Sequence, residues 1–248
     1  MAIRFLWNNL ADSAAVTASS SAADHPVSNI GIRWPGRTWR STGVAAEWVK
    51  FNLGSAQNIK ALIIFNHNFQ LGATVKIQAN SSDDWAAPPI DVTLTVTAEK
   101  ITYYWAASQA YQWWRISIAD AGNPDGYVEI GRVFLGGYFE PTRNHDNNWS
   151  MPWIDPSVIS ASTGDQASAD VKPGHYEFSF NFPSIKYPDN ETFDIIGKTL
   201  GKYKPFFITR DPSNLLTTYY VRSMVDWDVQ HIYNNINFRL SLRLREEI

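Results

Sequence analysis

The stretch from Trp39 to Asn68 reads W-R-S-T-G-V-A-A-E-W-V-K-F-N-L-G-S-A-Q-N-I-K-A-L-I-I-F-N-H-N, and its reading decides the fold. Trp39-Arg40-Ser41 is a polar loop signal. Residues 48–53 alternate apolar and polar up to Gly54, the period of two of a strand with one buried face. Residues 59–65 form a short apolar run that ends in Asn66-His67-Asn68, a turn-favouring triplet. Loop, strand, turn and strand therefore follow one another directly.

The same texture continues on both sides. Strands are expected at 3–7, 74–79, 92–96, 101–105, 113–118 and 128–135, with Gly, Asn, Asp and Pro between them. Residues 8–38 are polar and broken by proline, so they read mostly as loop. Short strands with turn signals at this spacing predict an antiparallel sandwich. Gly136-Gly137, Pro141 and the polar run 144–148 mark a boundary, which divides the chain into domains at 1–140 and 141–248.

Beyond the boundary, residues 175–182 place Tyr176, Phe178, Phe180 and Phe182 on one face. Asp189 or Asn190 is placed to cap a short helix that Gly201 ends, with Phe193, Ile196 and Leu200 on one stripe. A strand is expected at 205–209, a turn at 211–214, and two long strands at 217–230 and 235–246, joined near Asn234-Asn235. In the last, Ile236, Phe238, Leu240, Leu242 and Leu244 face one way; Asn237, Arg239, Ser241, Arg243 and Arg245 face the other. One helix among strands makes this domain a β-rich α+β unit.

Two resemblances add to this reading. Thr17-Ala18-Ser19-Ser20, Trp39-Arg40-Ser41 and Trp48-Val49-Lys50-Phe51-Asn52-Leu53-Gly54 resemble, in order, the motifs of the discoidin-like (factor 5/8 type C, galactose-binding-like) jelly-roll family. That resemblance implies an N-terminal galactose-binding-like sandwich whose ligands bind at one end, on loops. The loop residues in question are Arg33, Trp34, Trp39, Arg40, His67, Asn68 and Trp85. Trp39 reads equally as a core residue, and Asn66-His67-Asn68 as a turn. The C-terminal half is similar to bacteriophage tail proteins through Trp149-Ser150-Met151-Pro152-Trp153, Asp155-Pro156-Ser157, Pro205-Phe206-Phe207-Ile208, Asp211-Pro212 and Glu246-Glu247. This second resemblance implies a structural component of a virion tail or baseplate, assembled in the host cytoplasm. Its partners would be other tail or baseplate proteins, copies of itself in a trimeric or hexameric ring, and a host-surface glycan. Arg239, Arg243 and Arg245 are the expected subunit contact, with a solvated face as the alternative. A carbohydrate-binding module without a virion role is the other reading of the chain.

Composition limits the remaining choices. Of 248 residues, 44% are hydrophobic and 18% charged, as in globular domains. The formal net charge of −3 offers no electrostatic reason to expect nucleic acid. With 11 Trp, 11 Tyr and 13 Phe, aromatics serve cores, interfaces or sugar platforms. There is no cysteine, hence no disulfide, and no apolar run of spanning length, so membrane insertion is not expected. The five histidines show no metal-ligand spacing, and no nucleophile, phosphate-loop or zinc motif occurs. No catalytic residue, metal or cofactor is therefore expected. Asp83-Asp84, Asp226/Asp228 and Glu246-Glu247 are adjacent or nearly adjacent carboxylates. They read as solvated acids rather than a glycosidase pair. The stretch 120–126 (D-A-G-N-P-D-G) is rich in oxygen donors for Ca²⁺ but is also ordinary turn chemistry.

Overall fold

The protein is mainly β, and its computed structural model describes residues 2–233 and 237–248. In chain order the strands are β1 Arg4–Leu6, β2 Ala15–Ala18, β3 Trp39–Arg40, β4 Glu47–His67, β5 Thr74–Asn80, β6 Ile90–Leu94, β7 Lys100–Ala119 and β8 Glu129–Gly136. There follow β9 Trp153–Ile154, β10 Val158–Ala161, β11 Ala167–Asp170 and β12 His175–Lys186, then the helix α1 Asp189–Leu200. The last four are β13 Phe206–Thr209, β14 Thr218–Ser223, β15 Gln230–Tyr233 and β16 Asn237–Glu246. The chain divides into two compact units, one built on Asn8–Tyr138 and the other on the residues up to Trp7 and from Phe139 onward, apart from Asn214–Leu216.

The first unit is an antiparallel jelly-roll sandwich in which β4 and β7 each run through both layers. The first half of β4 pairs with β2 and with the second half of β7, where Phe51 faces Trp114 and Val49 faces Ile116. The register breaks between Asn52 and Gln57, and the second half of β4 then pairs with β8 and the first half of β7. Gly54, with φ of +78°, lies in this break, and glycine adopts that left-handed backbone without a Cβ penalty. β5 and β6 extend one layer; β8 and β3 extend the other. Thus the expected strand pairs 48–53/59–65 and 101–105/113–118 are two continuous bent strands. A local pattern marks buried faces but cannot tell a bend from a chain break. Val49, Phe51, Trp114, Ile116, Val75 and Ile77 from one layer meet Ile59, Leu62, Ile64, Ile101, Val133 and Leu135 from the other in a single core.

Residues 8–38 are more ordered than their polar composition predicts. They include β2 and two short 3₁₀ turns, Leu10–Asp12 and Val27–Gly31. Asn9 caps the first turn by accepting from the Ala11 amide at 3.2 Å, a polar contact that apolar periodicity cannot reveal.

In the second unit the sheet runs β1-β13-β14-β16-β12-β9 with β15 beside β16. The expected strand at 3–7 does form, as β1, yet it pairs with β13 (Phe5 opposite Ile208) and not with the sandwich. Phe5 is fully buried there, edge-on to Phe193 at 5.5 Å. The first residues, grouped by sequence with 1–140, thus belong to the other unit, because a strand's own pattern does not name its partner. The facing rows of β12 and β16 are as expected: Phe178, Phe180 and Phe182 lie opposite Leu244, Leu242 and Leu240, and all six are buried. Phe193, Ile196 and Leu200 of α1 join this core.

Two expectations fail here. The long strand at 217–230 is interrupted after Ser223, because Trp227 turns inward against Phe206 (5.9 Å) and Gly197. Asp226 and Asp228 consequently lie between β14 and β15 and not on a strand. Neither Asp189 nor Asn190 caps α1; the helix starts after Pro188, and the Asp189 carboxylate accepts the Thr142 amide at 2.7 Å. The expected joint at Asn234-Asn235 and the inward position of Ile236 lie outside the described residues.

Candidate functional site

At one end of the sandwich, three chain segments are tied together by backbone-directed bonds. Arg132, buried on β8, donates to the Ile30 carbonyl at 2.9 Å and pairs with Asp12 at 2.6 Å, which pins the Val27–Gly31 turn. The loop after that turn is anchored at Pro35, whose carbonyl accepts from the Asn66 amide group at 2.9 Å. Gly131 passes so close to Pro35 that a Cβ there would overlap the same carbonyl oxygen. Asn66 itself is left-handed (φ 54°), a conformation asparagine tolerates. Between these anchors, residues 34–37 make a tight turn closed by the Arg37 amide donating to the Trp34 carbonyl at 3.0 Å. Trp34 is 57% exposed, and the Arg37 guanidinium lies 5.5 Å from its ring centre. Arg33 is exposed beside it.

Next to this turn a second polar group is organised by Asn68. Its side chain donates to Asp125 and to the Tyr127 carbonyl, both at 3.0 Å, and accepts from the Glu129 amide at 2.8 Å. Glu129 holds Arg40, whose guanidinium also lies over Tyr127 at 4.7 Å. Asp120 and Asn123, both buried, bond each other at 2.9 Å, and Asp120 accepts from the Gln70 amide at 3.0 Å. The oxygen-rich stretch 120–126 is thus folded on its own bonds. Among the described residues no group of three or more His, Cys, Asp or Glu could hold a metal ion.

The structure separates the sequence-derived ligand residues into three groups. Arg33 and Trp34 share the exposed turn, with Arg40 and Asn68 in the neighbouring polar cluster. Trp39 and His67 are interior. Trp39 is fully buried and donates to the Ser20 carbonyl at 3.0 Å, so its ring has no face open to a sugar. His67 is 8% exposed, stacks on Phe69 at 4.4 Å, and accepts the Phe69 amide at 3.2 Å on Nδ1. Burial pushes its pKa down to about 4 although Asp120 pulls the other way, so at neutral pH it is an uncharged core imidazole. Trp85 belongs to a third cluster on the outer side of the layer carrying β5. There its indole donates to Asp83 at 2.5 Å, Arg115 lies over the ring at 4.5 Å, and Lys50 pairs with Asp83 at 2.9 Å. Reasoning from sequence missed Arg37 and Tyr127. The signal for Arg37 was present: Pro-Gly at the centre of W-P-G-R is a turn that brings positions 34 and 37 together.

In the other unit, Arg239 and Arg243 border a cleft of about 700 Å³ that Asp226, Asp228 and Ser241 also line. Arg239 donates to Gln230 at 2.8 Å and Arg243 reaches Glu177 at 3.5 Å. Arg245, half-buried, lies across the sheet from Arg222 and Glu177.

No protein-family model matches the chain, and no curated protein matches it. Several solved structures are similar to about half of it. A chitosan-binding module from a chitosanase/glucanase of Paenibacillus sp. IK-5 is 22% identical over 52% of this chain and 99% of its own, with a TM-score of 0.43. The family 32 carbohydrate-binding module of C. perfringens NanJ, solved with galactose, is 14% identical over 55% of this chain and 99% of its own, TM-score 0.43. A Streptococcus pneumoniae fucose-binding module is 11% identical over 52% and 94%, TM-score 0.43.

Proposed function

We propose that the sandwich unit is a non-catalytic carbohydrate-binding module whose contact surface is the turn at residues 34–37. The observation that carries this is Trp34. A 57% exposed indole on a tight turn, anchored through Pro35 to Asn66, contributes nothing to the core and is held ready for a planar apolar partner. The C–H face of a pyranose is such a partner, while the Arg37 guanidinium beside the ring is placed to donate to its hydroxyls. Because the turn is already fixed, binding loses little loop entropy. The test is titration calorimetry of the whole chain against neutral and charged oligosaccharides, with Trp34→Ala as the comparison. Loss of binding by a variant that keeps its melting temperature supports the reading; unchanged binding by that variant removes it.

A second reading, assembly into a larger β structure such as a virion tail or baseplate ring, is favoured by the hairpin β10–β11. All residues of both strands are exposed, Ile159 by 74% and Val158 by 52%. An isolated two-stranded hairpin is marginal in water, and its outer edges are free to pair with a neighbouring subunit. Sedimentation at micromolar concentration tests this: a trimer or hexamer that becomes a monomer on removal of the hairpin supports it, and a monomeric intact chain refutes self-assembly.

A further inference from the structure

The turn at 34–37 pairs its indole with a cation that nothing in the described protein neutralises. Residues 31–40 contain Arg33, Arg37 and Arg40 and no acidic side chain, within a chain of net charge −3. Arg40 is matched by Glu129. Arg37 differs: among the described residues its guanidinium has no carboxylate and no hydrogen-bond acceptor, and its one contact is the Trp34 ring. The backbone that carries it is nevertheless held in place. The Arg37 amide is bonded to the Trp34 carbonyl, Pro35 is buried two residues before it, and Thr38 is buried immediately after, with its carbonyl accepting from Asn29 at 2.9 Å.

We propose that the sugar bound at this turn is anionic and that Arg37 binds its acidic group while Trp34 carries the ring. This rests on the carbohydrate reading above and names the ligand class. A neutral sugar engages such a guanidinium through single hydroxyls. A carboxylate or sulfate oxygen pair instead accepts two parallel N–H bonds from the planar fork, each charge-assisted. Stacking on the indole pre-orients that fork, so a ligand presenting an apolar face and an anionic edge meets both groups together. Hydrogen bonds to charged groups contribute more than neutral ones, which sets the expected discrimination at about tenfold or more in Kd.

The experiment is calorimetry of the full chain with a galacturonate oligomer, a sulfated galactose oligomer, a neutral galactose oligomer and a glucosamine oligomer, at low and at raised salt. The expected result is tighter binding of at least one anionic oligomer than of the neutral one, with the gap narrowing as salt rises. The relative strength of the two anionic arms identifies a carboxylate or a sulfate ester as the recognised group. Arg37→Gln is expected to weaken the anionic ligand far more than the neutral one, closing the gap between them, and Trp34→Ala to lose both. Equal binding of neutral and anionic oligomers, stronger binding of the cationic one, or a preference that survives Arg37→Gln overturns the inference while the carbohydrate reading stands. Absence of binding to all four overturns both.

Discussion

Acidification from pH 7 to pH 5 should weaken the sandwich unit through His67. The imidazole is 8% exposed, Nδ1 is occupied by the Phe69 amide, and Nε2 is buried without a partner. Placing a proton on this ring puts a charge in the interior, and burial therefore pushes the pKa down to about 4 from 6.5. In the unfolded chain the same residue titrates near its ordinary value. Between those two values the unfolded state binds the proton and the folded state does not, so stability falls as pH falls through the window and the loss levels off below the folded pKa. Integrating from pH 7 to pH 5 gives a loss on the order of 2 kcal/mol, a large share of a typical domain's stability. The assay is urea unfolding at both pH values for the natural chain and for His67→Gln, which removes the titration. Contributions from carboxylates are common to both proteins and cancel in the difference. A pH-dependent loss about 2 kcal/mol smaller in the variant is expected; parallel losses in the two proteins would refute the reasoning.

Trp39→Ala should cost about 3–5 kcal/mol, read as a lower urea midpoint, because it empties a filled core site. Trp34→Ala, by contrast, should shift stability by no more than about 0.5 kcal/mol while losing sugar binding, since its ring stands mostly in water. Gly131→Ala should cost about 1–3 kcal/mol and also weaken binding, because its new methyl group displaces the Pro35 anchor of the site. Replacing residues 158–170 with a two-glycine link should leave the melting temperature of the second unit unchanged. The amides of that hairpin should exchange with deuterium far faster than those of β16.

Alternation at 175–182 and in the final strand settled which faces of β12 and β16 are buried, and the helical stripe of Phe193, Ile196 and Leu200 settled the face of α1. These features were legible because side-chain direction follows directly from backbone period. The site was only partly legible. Among Arg33, Trp34, Trp39, Arg40, His67, Asn68 and Trp85, residue type alone did not separate an exposed indole from a core one. Trp34 and Trp39, five positions apart, end at 57% and 0% exposure.

By itself, the amino-acid sequence determined that this is a mainly β protein, where most of its longer strands lie, and which side of them is apolar; β2 and β9 to β11 were not legible in it. The tertiary structure alone decided four further points: that β4 and β7 bend through both layers, that β1 joins the second unit, that Trp227 breaks a strand, and that Trp34 stands in the open while Trp39 is buried. The physical reason is range. Pleat, helix turn and β-turn act over two to four residues and are written locally, whereas burial and pairing depend on partners such as Ile208 for Phe5, or Gly131 and Asn66 for Pro35, which are remote in sequence.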